Sequence, residues 1–146
     1  MSDRDTILLI EQCEADAEVT TQALRAARLA NPIVRVPDAG EALALLLPDG
    51  KSGRSRMGEL PCVVILDVRG PLFDSVEFLR LLRASVRTAQ LPVVVLSSAV
   101  QLRMRIEDLR FERVAFIEKP LGFANLTRAT MSLGFGIRLV DDAARR

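Results

Sequence analysis

The chain has 146 residues, of which 49% are apolar and 27% charged, and its net charge is +1. That length suits a single domain, taken as 1–146 with a core of about 5–140, and the balance of apolar and charged residues argues against disorder. Near-neutrality gives no electrostatic ground for a nucleic acid or an anionic membrane as partner. His, Trp and Tyr are absent, so no His-dependent triad or His-ligated metal can be assembled, and any imidazole in the chemistry comes from another protein. Cys13 and Cys62 form neither a disulfide framework nor a zinc spacing and are expected as reduced thiols. The charged opening and the short first apolar run carry no targeting or membrane segment, which leaves the cytoplasm as the expected location.

In chain order, Thr6 to Ile10 is a short apolar run that predicts a strand and ends on Glu11. A helix is expected over Asp16 to Arg28, with Val19, Ala23, Leu24 and Ala27 at helical spacing, closed by Ala30-Asn31-Pro32. Ile33 to Val36 reads as a weak strand. Asp38 and Glu41 form a capping-box pattern for a helix from Ala39 to Leu47. Pro48 to Leu60 is a loop rich in Gly, Ser and basic residues, among them Lys51, Arg54 and Arg56, which a solvated surface explains before an acidic partner does.

Cys62 to Leu66 is an unbroken apolar run with three β-branched residues, the habit of a strand buried on both faces, and it ends on Asp67. Asp74 is placed to cap a helix that runs to about Ala84. Pro92 to Leu96 is a fourth strand ending on Ser97-Ser98, followed by a partly exposed helix over Gln101 to Phe111. Val114 to Ile117 is a fifth strand leading to Glu118-Lys119-Pro120, and a last helix is expected from about Phe123 to Leu139. Strands alternating with helices imply a parallel α/β sheet with helices on both faces, because each parallel crossover needs a connecting segment. The carboxyl ends of such strands form the rim where ligands bind, and Glu11, Asp67, Ser97 and Lys119 all fall there.

Taken together, Ile7-Leu-Leu-Ile-Glu11, Val64-Ile-Leu-Asp67 with Pro71 beyond it, Val93-Val-Val-Leu-Ser-Ser98 and Phe116-Ile-Glu-Lys-Pro120 resemble a response-regulator receiver domain over nearly the whole chain. Glu14-Ala-Asp16, the long loop before the third strand and the Leu133-Gly-Phe-Gly-Ile-Arg-Leu139 tail further resemble stand-alone receivers that partner phytochrome-type sensor histidine kinases. The resemblance implies a flavodoxin-like, doubly wound five-stranded sheet of order 2-1-3-4-5. It implies a phosphoacceptor at Asp67, with Ser97 and Lys119 as phosphoryl-binding residues, Phe116 as the aromatic switch and a cis Lys119–Pro120 bond. It also implies a non-enzymatic signalling role, a histidine kinase or phosphotransfer protein as partner, and Mg2+ held by Glu11, Gln12, Asp67 and the backbone carbonyl of Arg69. Homodimerisation is expected through the last two helices and the fifth strand, with Phe135, Ile137 and Leu139 as apolar surplus. Kinase docking is expected on the first helix, near Ala17, Thr20 and Thr21.

The sequence departs from the family at three places. Two adjacent acids usually follow the first strand, whereas here Gln12 supplies an oxygen without a charge. Magnesium prefers hard oxygen ligands, and one missing unit charge at ~4 Å is worth on the order of 4 kcal/mol at an effective dielectric of about 20, before solvation offsets part of it. Arg69 could replace the ion with a fixed guanidinium between Glu11 and Asp67. The loop before the fifth strand has Phe111-Glu112-Arg113 where the family has Gly. Two readings follow: a phosphorylated single-domain response regulator, or a pseudo-receiver that keeps the fold as an interaction module. A flavodoxin-like enzyme or nucleotide binder is disfavoured, since Glu11-Gln-Cys-Glu-Ala15 offers no glycine-rich phosphate loop.

Overall fold

The computed structural model describes residues 6–48, 57–68, 72–135 and 139. Five strands, β1 (Ile7–Ile10), β2 (Ile33–Val36), β3 (Val63–Asp67), β4 (Val93–Ser97) and β5 (Val114–Glu118), pair in parallel in the order β2-β1-β3-β4-β5. Between and after them run α1 (Glu14–Ala26), α2 (Ala39–Leu46), α3 (Leu72–Ala84), α4 (Val100–Asp108) and α5 (Phe123–Leu133). This is the flavodoxin-like arrangement expected from the sequence.

Strand periodicity divides the core in two. Successive side chains point to opposite faces, so Ile7, Leu9, Val63, Ile65, Val94 and Leu96 pack with α1 and α5. Leu8, Ile10, Val64, Leu66, Val93 and Val95 pack with α2, α3 and α4. Every residue of β1, β3 and β4 is buried, and each fully buried aliphatic side chain contributes roughly 1.5–3 kcal/mol. Those central strands therefore carry most of the apolar driving force, and they had to read as continuous apolar runs.

Three helical expectations change. On α1 the buried residues are Ala17, Thr20 and Leu24, whereas Val19 is 63% exposed. Ala17 and Thr20 thus face the sheet and cannot serve as a docking surface; the polar Thr20 hid the true stripe. Asp74 lies inside the first turn of α3, two residues after its start, and does not precede the helix. The last helix stops at Leu133, because Gly134 adopts φ 70°, the left-handed C-terminal turn that glycine takes without a Cβ clash, and its N–H bonds Thr130 O at 2.7 Å. The chain then turns inward, and Phe135 is buried at 6% exposure in the same cluster as Leu29. Phe135 is core and not dimer surface. Leu139 forms an isolated antiparallel bridge with Leu29 and stays exposed; Ile137, like Lys51, Arg54 and Arg56, lies outside the described residues.

Of the capping-box pattern expected at α2, the N-cap half is present: the Asp38 side chain accepts from Glu41 N at 2.8 Å. The missing glycine before β5 is accommodated by Arg110 and Arg113 themselves, which take φ 54° and 59°. A non-glycine residue in that region costs about 1–2 kcal/mol. Arg83 of α3 offsets this cost by gripping the turn: its Nε donates to Glu112 O at 2.8 Å, and its Nη2 to Arg113 O at 3.1 Å and Leu91 O at 2.7 Å. Nη1 donates to Thr88 O at 3.1 Å. Burial lowers the Arg83 pKa from its ordinary value, Arg113 adds to the effect by repulsion and Glu112 opposes it. Replacing Arg83 by Met leaves these carbonyls without their charged donor and should reduce the unfolding free energy by about 3 kcal/mol. A urea titration checks this, with Arg83→Lys expected to recover only part of the loss because an ammonium cannot span four carbonyls.

Candidate functional site

Parallel pairing carries the strand tips to one rim. Ile10 is in register with Leu66, Asp67 with Leu96, and Ser97 with Glu118. Glu11, Asp67, Ser97 and Lys119 consequently occupy neighbouring tips, with β1 and β3 flanking the point where the chain changes direction across the sheet. In open α/β sheets such a switch point is where the crevice forms.

Asp67 is the centre of this group. Its side chain is 1% exposed, and Lys119 Nζ donates to Asp67 Oδ2 at 2.5 Å. The lysine is held from behind, since its backbone N–H bonds Ser97 O at 3.1 Å and the following Lys119–Pro120 peptide is cis as expected. Ser97 is buried, and its hydroxyl is already engaged: Oγ donates to Ala99 O at 3.0 Å and accepts from Ala99 N at 2.9 Å. That local turn leads into α4, and Ala99, the residue that caps its N-terminus, has no capping side chain of its own.

Glu11 is fully buried, and its Oε1 accepts from Cys13 N at 3.0 Å. The carboxylate thereby folds back onto the amide of the residue that precedes α1. Gln12 is exposed and lines a small cavity of about 90 Å³ together with Asp67, Asp38, Asp74 and Ser75. Phe116 is half-buried beside β4 and α4, and it lines a larger cleft of about 740 Å³ between α4, β5 and α5 with Arg103, Glu118 and Arg128. Arg69 lies outside the described residues.

Glu11 and Asp67 offer the hard oxygen donors that magnesium prefers. Among the described residues no group of three Asp, Glu, Cys or His could hold a metal. Two carboxylates, Glu11 and Asp67, are nevertheless within the one or two that magnesium usually takes from protein when waters and phosphate oxygens complete its octahedron.

Three residues had no role at the rim that was apparent from the sequence. Arg35 of β2 donates from Nε and Nη2 to Glu11 O at 3.0 and 2.8 Å, and from Nη2 to Gln12 O at 3.1 Å. Asp38 and Asp74 add acid to the mouth of the small cavity. A charged residue in a short edge strand was the one visible sign of Arg35, and it normally means only exposure.

The Asp67–Lys119 pair makes its own energetic prediction. Removing one partner of a buried pair strands the other charge and typically costs 3–5 kcal/mol, whereas removing both is far milder. Because Lys119 is one-quarter exposed, the expected loss for Lys119→Met is about 2–3 kcal/mol by chemical denaturation. The double variant Asp67→Asn/Lys119→Met should lie closer to the wild type than Lys119→Met does.

Comparison with known proteins gives these contacts a context. No family model matches the chain. A curated relative, the probable methanogenesis regulatory protein FilR2 of Methanothrix harundinacea (strain 6Ac), is 32% identical over 126 residues, covering 84% of this chain and 76% of the relative. Among solved structures, that of the bacteriophytochrome response regulator AtBRR is 34% identical, with a TM-score of 0.79 over 94% of this chain and 97% of that one. The phosphorylated cyanobacterial phytochrome response regulator RcpA is 27% identical, with a TM-score of 0.62 over 88% of this chain and 87% of that one. Among the described residues no helix is long and apolar enough to cross a membrane. The strand order, the rim and these likenesses in sequence and structure agree, and the chain belongs to the response-regulator receiver family.

Proposed function

We propose that the chain is a phosphorylated response regulator of a two-component relay, with Asp67 as the phosphoacceptor. The carrying observation is the buried Asp67 at the switch-point rim with Lys119 Nζ 2.5 Å from its Oδ2. An Asp67 carboxylate oxygen attacks the phosphorus of a kinase phosphohistidine in line. The new P–O bond forms as the P–N bond breaks, and the electron pair leaves on the imidazole nitrogen. Lys119 transfers its N–H from the carboxylate to a phosphoryl oxygen. Ser97 exchanges Ala99 O for another phosphoryl oxygen, and Phe116 follows into the space on the α4 side. Magnesium, when bound by Glu11 and Asp67, supplies charge neutralisation for the phosphoryl oxygens.

A sensor histidine kinase of the phytochrome type is the partner this reading favours, given the bacteriophytochrome response regulator among the similar structures. Its helices would meet the exposed side of α1 near Val19, since Ala17 and Thr20 face inward. The output is protein contact through the α4–β5–α5 face, where Met104 and Phe123 are more than half exposed and the cleft carries both Arg128 and Glu118. A second copy related by a two-fold axis would pair such opposite charges twice. Sedimentation should then show dimer at high micromolar concentration, and monomer alone would count against this face.

The pseudo-receiver reading is favoured by one observation: Gln12, where the family carries a second acid, is uncharged and exposed. Intact mass after incubation with magnesium and acetyl phosphate separates the two readings. Phosphoacceptor function requires a gain of one phosphoryl group that Asp67→Asn abolishes; no gain in the wild type supports the pseudo-receiver. Gln12→Asp adds a carboxylate at the mouth and should tighten magnesium about tenfold, a fraction of the unscreened charge energy because the residue is solvated. The same change should lower the melting temperature without metal, through carboxylate crowding, and magnesium should restore it.

A further inference from the structure

Arg35 is placed to control the acidic loop, and the control runs through single peptide units. A planar trans peptide points its carbonyl and its N–H in opposite directions. The carbonyl of Glu11 and the N–H of Gln12 share one such unit; the carbonyl of Gln12 and the N–H of Cys13 share the next. Arg35 draws both carbonyls to its own side, with donor–acceptor distances of 2.8–3.1 Å. The Cys13 N–H is thereby turned the other way, where Glu11 Oε1 accepts it at 3.0 Å. A further restraint on Glu11 is the ladder bond from its N–H to Val36 O at 3.0 Å, the residue next to Arg35 on β2.

From this chain of contacts we infer that Arg35 is a positioning residue for the Glu11 carboxylate, acting through the Gln12–Cys13 peptide to hold it in the geometry that a divalent cation beside Asp67 requires. A glutamate has one more rotatable bond than an aspartate and loses more side-chain entropy when fixed. Where Glu11 and Asp67 are the carboxylates at the strand tips and Gln12 stands in place of a third, holding that longer side chain in advance matters more than where another acid shares the charge. The guanidinium fork is essential to the device. Nε and Nη2 reach one carbonyl together while Nη2 also reaches the second, and an ammonium at the end of a flexible stem does not reproduce that geometry. The metal consequence rests on the receiver reading; the loop geometry does not.

The test compares Arg35→Lys and Arg35→Gln with the wild type in two NMR measurements. Amide hydrogen exchange at Cys13 should accelerate about tenfold in both variants, with Val64 and Val95 in the central strands unchanged. Titration with magnesium alone, followed through amide shifts of the rim, should give a dissociation constant about tenfold weaker in both. Exchange at Cys13 that matches the wild type overturns the inference. So does acceleration spread equally to Val64 and Val95, or full recovery of both readouts by Arg35→Lys, which would reduce Arg35 to a local charge. Unchanged magnesium affinity in both variants overturns it as well. If the wild type takes up neither magnesium nor phosphoryl from acetyl phosphate, the phosphoacceptor reading fails, and the Cys13 exchange alone decides whether Arg35 positions the loop.

Discussion

The whole arrangement depends on the parallel pairing of β1, β3 and β4, three strands that are buried throughout. Their apolar runs have no favourable alternative to burial on both faces, and parallel pairing then requires a helical return for each strand. Every carboxyl end is delivered to the same rim as a result. Polar residues that would be costly in the middle of such strands stand where the apolar runs end: Glu11 just after β1, and Asp67 and Ser97 as the final residues of β3 and β4. The site is thus a consequence of where the apolar runs stop, its polar residues being buried at their ends.

The rim residues share a second property, which is that each already has a partner. Lys119 holds Asp67, Ser97 closes a turn with Ala99, and Glu11 receives the Cys13 amide. Buried polar groups left unpaired would cost about 1–3 kcal/mol each, so this satisfaction keeps the unmodified protein stable. On the proposed function, phosphorylation is an exchange of partners and not a creation of bonds from nothing. Its conformational effect arises because Ser97 must give up the turn that leads into α4, and Phe116 of β5 lies beside that helix in the proposed output face.

The strands and the rim acids were legible in the sequence because their signals are local: a continuous β-branched run, then one charged or hydroxyl residue. The order of the strands is not a local property and came from the family resemblance. The sequence misled where a residue's role depends on a distant main-chain atom. Arg35 and Arg83 bind carbonyls, which every residue possesses, so no spacing or complementary side chain announces them. On α1 the stripe was displaced because Thr20 is polar yet faces the sheet, while Val19 is apolar yet exposed. At the last helix, Leu133-Gly-Phe-Gly read as a continuation, although the left-handed turn at Gly134 ends it and sends Phe135 into the core.

On the proposed function, the rim makes Asp67, and no other acid, chemically competent. Borohydride reduction of the acetyl phosphate-treated protein, followed by peptide mass spectrometry, reads this directly, since an aspartyl phosphate is reduced to homoserine where an ordinary carboxylate is untouched. Homoserine at position 67 alone is the expected result. Reduction at Glu11, Asp38 or Asp74, or no reduction anywhere, would contradict the account.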